Sequence, residues 1–516
     1  MPGAQPARSF IDELDRDIHS STATTAPVFA PFTGEKLHDV PQSSVQDVTD
    51  AAARSRLARR EWQAAGFDHR RRVLLRAHDL LVERRETLMD CVQAETGKTR
   101  GQAFEEVFVG ASTTRYYALS ARGVLRTRRR RAAIPLVVTT RVGYQPKGLV
   151  GVITPWNYPL SLSLFDVIPA LAAGNAVVQK ADNQGALSIL SSRKAFIDAG
   201  VPEAVWTVVA GDGPSIGGAV IDESDYICFT GSTATGRTVA EQAAKRLIGA
   251  SLELGGKNPM LILDDVDPKK AAQNAVYGCF SSMGQLCTSI ERIYVHQAVA
   301  PEFIAEFVAR TKALSQGPAY DYSTDVGSLA LPLQLERVQA HVDDALSHGA
   351  TLLAGGKARP DLGPLFFEPT VLTDVTDAMA CSRAETFGPV VAITVVETVD
   401  DAIAQANDTD YGLNASVFSG SVRRGIHIAE FLDAGSVNIN EGFRASLPSV
   451  DAPMGGMKDS GVGRRNGPEG LLRFVEPRTI SAVTGVMTLP RTGAEFAKMG
   501  PLMVTLLRTL KALRQR

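Results

Sequence analysis

Cysteine is scarce in this chain, and its spacing argues against two common architectures. The 516 residues include five cysteines, and their number is odd. Neither a CxxC pair nor a cysteine–histidine pair with metal-ligand spacing occurs among them. This pattern argues against a disulfide framework and against a zinc site, and we expect the protein to work in a reducing cytoplasm. The five are Cys91, Cys228, Cys279, Cys287 and Cys381.

The sequence also lacks an uninterrupted apolar run long enough to cross a bilayer. Residues 1–26 are polar and interrupted by prolines, so they lack the apolar core of a signal peptide. We predict a loose polar extension there. The formal net charge of −2 gives no basis for binding nucleic acid.

Arginine is concentrated in one run, residues 126–131, and two functions fit such a run. Nucleic-acid binding is one, but neither interleaved aromatic residues nor a second basic patch accompanies the run. Residues 134–144 alternate in polarity and are rich in valine and threonine, which is typical of a strand. We interpret the segment as a hairpin arm with solvated arginines, and residues 476–488 as a strand that pairs with it.

Beyond Gly148, short apolar strands alternate with single helices. Strands joined in this way indicate a parallel, doubly wound sheet. A second series of alternating elements begins near Met260, so we predict an α/β protein with two doubly wound lobes. The first series has strands at 149–153, 176–180, 206–210 and 226–230 and a helix at 186–199; the second has strands at 260–263, 292–296 and 390–396 and helices at 301–315 and 333–348.

The last residues, 496–516, have the composition of an amphipathic basic helix. Leucine and methionine recur at helical spacing, with lysine and arginine between them. Two interpretations stay open. The helix docks on its own body or on a neighbouring subunit, or it makes weak, reversible contact with an anionic membrane surface.

Three short runs supply the groups needed to convert a carbonyl compound. Cys287 follows a glycine turn that can expose a thiol at a cleft. Glu253 lies between two leucines, where burial would raise its pKa and suit a base near neutral pH. Asn157 follows the end of a predicted strand and offers a neutral donor. Together they supply a nucleophile, a base and an oxyanion donor.

Residues 229–237 form a predicted strand, a glycine turn and the start of a helix. Free backbone N–H groups and the helix dipole favour a phosphate at such a turn. The run is not GxGxxG, because Gly231 and Gly236 are five residues apart. A dinucleotide pyrophosphate still fits. In a separate loop, Glu385 and Phe387 offer a carboxylate for a ribose hydroxyl and an aromatic ring for a flat base.

These runs resemble the aldehyde dehydrogenase superfamily, from about Phe29 to Ser481. Six runs carry the resemblance, and they occur in the order that the family has. They are 154–157, 229–236, 253–257, 284–287, 385–389 and 453–456.

The resemblance implies a homodimer or homotetramer of subunits with a cofactor lobe, a catalytic lobe and an oligomerisation arm. Cys287 would form a thiohemiacetal, held by Asn157 and the Cys287 backbone N–H, and Glu253 would activate the water that hydrolyses the later thioester. No metal is needed. The matching cofactor-contacting positions are Trp156, Lys180, Asn183, Gly231, Ser232, Gly236, Leu254, Glu385 and Phe387. The implied limits are 27–125 and 148–253 for the cofactor lobe, 254–473 for the catalytic lobe, 126–147 and 474–488 for the arm, and 489–516 for the tail.

One departure from the family pattern concerns cofactor choice. NAD-preferring members commonly carry a glutamate three residues after the lysine, where this chain has Asn183. Loss of that negative charge removes a repulsion against a 2′-phosphate. Asp182 next to it weakens the argument. We expect NADP, with NAD as the alternative.

Substrate choice is a second departure. The runs 284–292, 407–416 and 461–472 resemble an actinobacterial branch labelled succinate-semialdehyde dehydrogenase. Members with that activity hold the substrate carboxylate with arginines, at positions where this chain has Phe165 and Ser282. Arg444 is a candidate replacement. The alternative is an apolar aldehyde, aliphatic or aromatic, in a tunnel whose predicted lining is Leu160, Leu162, Leu164, Phe165 and Phe443.

Two other classes compete with this interpretation. A non-catalytic structural or binding relative would need neither thiol, carboxylate nor amide, and all three are present. A CoA-acylating enzyme would transfer the acyl group to CoA instead of water. Glu253 argues for water, because water needs a base.

Overall fold

The computed structural model describes residues 4–134, 137–485 and 488–514. The helices are Arg8–Asp15 (α1), Val45–Ala64 (α2), Gly66–Glu83 (α3), Arg85–Thr96 (α4), Arg100–Val124 (α5), Pro159–Ala173 (α6), Ala186–Ala199 (α7), Gly218–Glu223 (α8), Thr233–Lys245 (α9), Pro268–Phe280 (α10), Ala300–Lys312 (α11), Pro332–Ser347 (α12), Ala380–Arg383 (α13), Val399–Asn407 (α14), Val422–Ala429 (α15), Gly467–Leu472 (α16) and Gly493–Ala512 (α17). The strands are Thr25–Phe29 (β1), Lys36–Pro41 (β2), Arg128–Arg130 (β3), Val138–Pro146 (β4), Leu149–Ile153 (β5), Ala176–Ala181 (β6), Trp206–Ala210 (β7), Tyr226–Thr230 (β8), Gly249–Glu253 (β9), Asn258–Ile262 (β10), Ile290–His296 (β11), Thr351–Ala354 (β12), Thr370–Thr373 (β13), Val390–Val396 (β14), Tyr411–Gly412 (β15), Asn414–Phe418 (β16), Ser436–Ile439 (β17), Met457–Lys458 (β18), Gly461–Val462 (β19) and Val475–Val483 (β20).

The first large sheet has six strands in the order β19-β9-β8-β5-β6-β7. Its five strands β5 to β9 are parallel, and β19 joins one edge antiparallel to β9. The chain runs from β5 outward through β6 and β7, then returns to the other side of β5 with β8. This reversal opens a crevice beyond the carboxyl ends of β5 and β8, where ligands bind in such sheets. The predicted doubly wound sheet is confirmed.

The second large sheet has seven strands in the order β12-β13-β14-β11-β10-β16-β17. All neighbours are parallel except β12, which pairs antiparallel with β13. Helices α10, α11 and α12 cover this sheet and contribute Phe280, Phe303 and Val338 to its core. The second predicted lobe is likewise confirmed as an α/β unit.

A three-stranded antiparallel sheet, β20-β4-β3, forms the arm. Its longest pairing runs from Val475 opposite Pro146 to Val483 opposite Val138. The predicted pairing of the late strand with the earlier arm is therefore confirmed. Residues 135 and 136 of the predicted hairpin and residues 486 and 487 of the predicted late strand lie outside the described residues.

The N-terminal segment differs from the predicted loose extension. Helix α1 forms, and its side chains Ile11 and Leu14 are buried against the first lobe. Ile18 is also buried and bridges to Val208 in β7. These apolar residues are spaced three or four apart, so one helical face is apolar although the segment is polar on average. The expectation of a loose segment is wrong for residues 8–18.

The C-terminal helix α17 has no buried residue. Its exposed apolar side chains include Phe496, Leu502, Leu507 and Leu513. A search of the described residues finds no helix long and apolar enough to cross a membrane. The predicted amphipathic helix is present and starts three residues earlier than expected, at Gly493.

Candidate active site

A cavity of about 220 Å³ lies where the two large sheets meet. It opens at the crevice beyond β5 and β8 and reaches the turn before β11. Nine of the twelve predicted site residues line it. These nine are Trp156, Asn157, Gly231, Ser232, Glu253, Leu254, Cys287, Glu385 and Phe387.

A tight turn places Cys287 at this cavity. The turn Ser281–Gly284 is a 3₁₀ helix in which Ser282 and Met283 have left-handed backbone angles, with φ of 50° and 57°. Such angles are costly for residues with a Cβ and occur where the surroundings enforce them. Gly284 follows with φ of 67°, and a Cβ there would lie 2.1 Å from the Gly388 oxygen. Only glycine fits at that position, which explains the glycine before the nucleophile.

The Cys287 thiol is neutral in this site. Burial, together with the nearby carboxylates of Glu253 and Glu385, raises its pKa to about 12. Because a thiol attacks as the thiolate, Cys287 needs a base to become a nucleophile. The other four cysteines are buried and line no such cavity among the described residues.

Glu253 lines the same cavity and is the predicted base. It ends β9, and its Oε1 is buried without a hydrogen-bond partner among the described residues. Burial raises its pKa to about 7, although the guanidinium groups of Arg465 and Arg473 act in the opposite direction. A carboxyl group with this pKa takes up and releases a proton near neutral pH.

Asn157 follows β5 and is buried at the cavity wall. Its Nδ2 donates a hydrogen bond to the backbone oxygen of Gln285 over 3.0 Å. The amide nitrogen carries two hydrogens, so one remains for a ligand. The site therefore brings thiol, carboxyl and amide together as the sequence predicted; their catalytic roles remain predictions.

The part of the site predicted to bind a dinucleotide contains the expected start of a helix, α9. Ser232 caps α9, accepting a hydrogen bond from the Thr235 N–H over 3.3 Å. Gly231 and Ser232 line the cavity at this end of the helix. Gly236 does not line it. A Cβ on Gly236 would lie 2.5 Å from Leu254 Cδ2, so its observed role is close packing of α9 against β9.

The opposite wall is the loop that carries Glu385 and Phe387. Trp156 meets Phe387 edge to face, with ring centroids 5.8 Å apart. Glu385 Oε1 accepts a hydrogen bond from the Gly256 N–H over 2.9 Å, and burial raises the pKa of this carboxyl to about 7. Glu291 holds the loop from behind by accepting from the Thr386 N–H over 2.9 Å.

Sequence reasoning missed two polar residues of this wall, Gln334 and Arg337 of α12. Gln334 Nε2 donates to the Phe387 oxygen over 2.6 Å, and Arg337 donates to the Glu385 oxygen. Both line the cavity. No motif marks them, because one turn of an ordinary amphipathic helix brings them there. The cavity also includes Pro155, Thr230 and Gly255.

Lys180 and Asn183 lie away from this cavity. Lys180 is near the end of β6 and is 5% exposed, and burial lowers its pKa. Asp182 and Asp212 are the carboxylates close enough to act against that shift. Asn183 Oδ1 accepts a hydrogen bond from Gln42 Nε2 over 3.1 Å. These two positions flank the same crevice edge as β5, and their cofactor contacts remain predictions.

An apolar cluster packs on the other side of the nucleophile turn. It joins the side chain of Leu286, the neighbour of Cys287, to Tyr158 and Phe443. The predicted lining was wrong for Leu160 and Leu164, which face Gly110 in the main core because α6 is buried on all sides. The whole cluster is Val109, Tyr158, Leu162, Phe165, Leu286 and Phe443.

Arg444 lies at the edge of this cluster. Its guanidinium is 4.0 Å from the centroid of the Tyr277 ring and forms an ion pair with Glu441 over 3.0 Å. Asn414 Nδ2 donates to the oxygens of both Thr288 and Gly442, over 2.9 and 3.1 Å. The loop that carries Arg444 is therefore fastened beside the residue that follows Cys287.

Comparison with known proteins assigns the class to which this fold and site belong. The family model described as "Aldehyde dehydrogenase family" matches residues 18–480. The chain belongs to the aldehyde dehydrogenase family.

Individual relatives are similar over nearly their whole length. The chain is 47% identical over 507 residues to a protein of Mycolicibacterium smegmatis named "Putative succinate-semialdehyde dehydrogenase [NADP(+)]", covering 98% of this chain and 97% of that one. It is 37% identical to the mitochondrial succinate-semialdehyde dehydrogenase of Arabidopsis thaliana, covering 88% and 85%. Among solved structures, the NAD⁺ complex of an aldehyde dehydrogenase from Bacillus cereus matches with a TM-score of 0.87 and 30% identity, covering 93% and 99%.

Proposed function

We propose that this chain oxidises succinate semialdehyde to succinate and uses NADP⁺ as the electron acceptor. The observation that carries the proposal is the cavity shared by Cys287, Glu253 and Asn157. The names of the mycobacterial and plant relatives support the choice of substrate.

The residues act in a simple order. Glu253 takes the proton of the Cys287 thiol, and Sγ attacks the aldehyde carbon. The second Nδ2 hydrogen of Asn157 stabilises the resulting oxyanion of the thiohemiacetal. A bound nicotinamide dinucleotide supplies the hydride acceptor for the oxidation. The acyl group then remains on Sγ as a thioester. Glu253 releases the thiol proton to solvent and, ionised again, removes a proton from the water that hydrolyses the thioester.

The residues present fit a phosphorylated dinucleotide. The buried Lys180 ammonium has no hydrogen bond or ion pair among the described residues, so it is available to an anionic or hydroxyl group of the cofactor. Asn183 is neutral and adds no repulsion against a 2′-phosphate. Ser232 and the start of α9 would hold the pyrophosphate, and Glu385 a ribose. These features support NADP, with NAD as the alternative.

Arg444 supports a substrate that carries a carboxylate. One N–H group of its guanidinium donates a hydrogen bond to Glu441. Further N–H donors of the guanidinium remain for a ligand. A competing proposal is an uncharged aliphatic or aromatic aldehyde, favoured by the apolar cluster around Phe165 and Phe443.

A substrate panel with each cofactor tests these proposals. Purified enzyme would be assayed with succinate semialdehyde, hexanal, decanal and benzaldehyde, each with NAD⁺ and with NADP⁺. The highest kcat/KM is expected for succinate semialdehyde with NADP⁺. A clear preference for decanal or benzaldehyde would replace the substrate proposal with its competitor.

We propose that the arm, residues 126–147 with 474–488, joins subunits into a homodimer or homotetramer. Nearly all of β20 is exposed in the single chain, with Ile480 and Val483 each 54% exposed. An apolar strand at this level of exposure favours burial against another subunit. Light scattering after size exclusion measures the state, and a monomer would contradict the proposal.

We propose weak contact of α17 with an anionic membrane surface. The helix exposes leucines together with Lys498, Arg508 and Lys511, the composition of an interfacial helix. Removal of residues 496–516 should lower sedimentation with phosphatidylserine vesicles. Equal absence of binding before and after removal would reject the contact and leave docking on a subunit.

We propose a cytoplasmic location, since all five cysteines are unpaired and a thiol nucleophile needs reducing surroundings. Fractionation of cells that express the tagged protein tests this location. Recovery from an oxidising compartment would contradict it.

A further inference from the structure

A half-buried carboxyl group that the proposed chemistry does not use lies at the rim of the apolar cluster. Glu105 is one turn before Val109 on α5, so the two share a helix face. Its Oε1 accepts a hydrogen bond from the Tyr277 hydroxyl over 2.8 Å. Its Oε2 is buried and has no hydrogen-bond partner among the described residues. An unpaired buried oxygen of this kind is costly unless a ligand pairs with it.

The same contacts connect Glu105 to the arginine proposed to hold the substrate carboxylate. Tyr277 stacks on Phe443 of the apolar cluster with centroids 6.0 Å apart. Arg444 packs on the face of Tyr277, and its charge is close enough to lower the pKa of Glu105. Tyr277 therefore contacts both residues, Glu105 through its hydroxyl group and Arg444 through its ring.

We infer that Glu105 sets the selectivity of this enzyme between aldehydes with and without a carboxylate, because it shares Tyr277 with Arg444, the group proposed to bind that carboxylate. The inference rests on the proposed function. When Glu105 is ionised, it competes for Arg444 and repels the incoming anion. When it is protonated, Oε2–H donates a hydrogen bond to the anion instead. An uncharged aldehyde experiences neither effect.

The surroundings of Glu105 shift the loss of its proton to higher pH than in an exposed glutamate, because the net effect raises its pKa. Burial is the largest influence and raises its pKa, and Glu441 raises it as well. Tyr277, Arg444 and Lys98 act in the opposite direction. Lys98 is committed to an ion pair with the buried Glu106, so it does not neutralise Glu105 directly. As pH rises and Glu105 loses its proton, binding of a carboxylate-bearing aldehyde weakens.

The test compares matched aldehydes in Glu105→Gln. Succinate semialdehyde and butanal form one pair, and 4-carboxybenzaldehyde and benzaldehyde form a second. The variant keeps the shape of the side chain and removes its charge. We expect the KM for each carboxylate-bearing aldehyde to fall roughly three- to tenfold at pH 8 while the KM values for butanal and benzaldehyde stay the same. The rise of these KM values with pH should disappear in the variant.

Glu302→Gln is the matched control, because it makes the same charge change on the exposed surface of α11. It should leave all four KM values unchanged. A parallel change for charged and uncharged aldehydes in Glu105→Gln would mean a structural role and overturn the inference. An unchanged ratio between the members of each pair would also overturn it. If the unmodified enzyme oxidises butanal and not succinate semialdehyde, the proposed substrate fails, and the benzaldehyde pair still decides the role of Glu105.

Discussion

Asn157 and Gln285 join the two large sheets at the active site. The Asn157 amide, just beyond β5, donates to the Gln285 backbone oxygen, two residues before Cys287. The contact uses one of the two amide hydrogens and leaves the other directed to the cavity. One side chain thus holds the turn before Cys287 and retains a second amide hydrogen for the proposed oxyanion.

Asn157→Ala should therefore lower kcat much more than it changes KM. Loss of one oxyanion donor costs about 10²- to 10³-fold in kcat in enzymes with comparable sites. Steady-state kinetics with the best aldehyde of the panel measures this effect. Asn175→Ala, a buried asparagine of the first lobe outside the cavity, is the control for loss of a buried amide. Equal losses in both variants would contradict an oxyanion role.

Cys287→Ala should effectively abolish turnover, lowering the rate of aldehyde-dependent reduction of the cofactor by roughly 10³-fold or more. No other cysteine of the described residues reaches the cavity, so none replaces the thiol. Absorbance at the reduced nicotinamide band measures turnover. Cys91→Ala, at a buried position in α4, should retain most of the activity. If the Cys287 variant kept most of its rate, the nucleophile would lie elsewhere.

Activity should rise with pH through the pKa of Glu253. Burial raises that pKa to about 7, so the carboxyl is protonated below it and ionised above it. A base acts only in its ionised form, so kcat should increase between about pH 6 and pH 8 and then level off. In Glu253→Gln both the attack by the thiol and the hydrolysis of the thioester lose their base, so steady-state turnover should fall and its rise with pH should disappear. A pH profile that survives in this variant would assign the titration to another group.

Asn183→Glu should shift cofactor preference from NADP⁺ towards NAD⁺. A carboxylate introduced there repels a 2′-phosphate and can accept hydrogen bonds from a ribose. The ratio of kcat/KM for the two cofactors is the measurement. Asn183→Gln, which keeps the side chain neutral, should leave the ratio nearly unchanged. An identical ratio in the glutamate variant would contradict the repulsion argument.

The sequence predicted the strands that lie in buried parallel sheets most accurately. Trp206–Ala210, Tyr226–Thr230 and Val390–Val396 have the predicted bounds because each is a short apolar run that is buried in its sheet. The meeting of Cys287, Glu253 and Asn157 at one cavity was equally predictable, since each lies next to a strand end or a glycine turn.

Other features depend on tertiary packing and could not be read from local pattern. Leu160 and Leu164 were predicted to line the tunnel. Because α6 is buried on all sides, its sequence has no distinct polar face that would show how the helix is oriented. Gln334 and Arg337 reach the cavity only because α12 packs behind the Glu385 loop. Helix α1 was not predicted, because residues 1–26 are polar on average and this average obscures the apolar face of the helix.

Cys287 comes just before a strand of the seven-stranded sheet, whereas Glu253 and Asn157 come from the six-stranded one. The alignment of the three side chains thus depends on how the two large sheets are placed against each other. A small tilt at the seam between the two sheets would abolish activity while leaving every participating side chain intact. Substitutions far from the chemistry, wherever they loosen that seam, should therefore act like loss of a catalytic group.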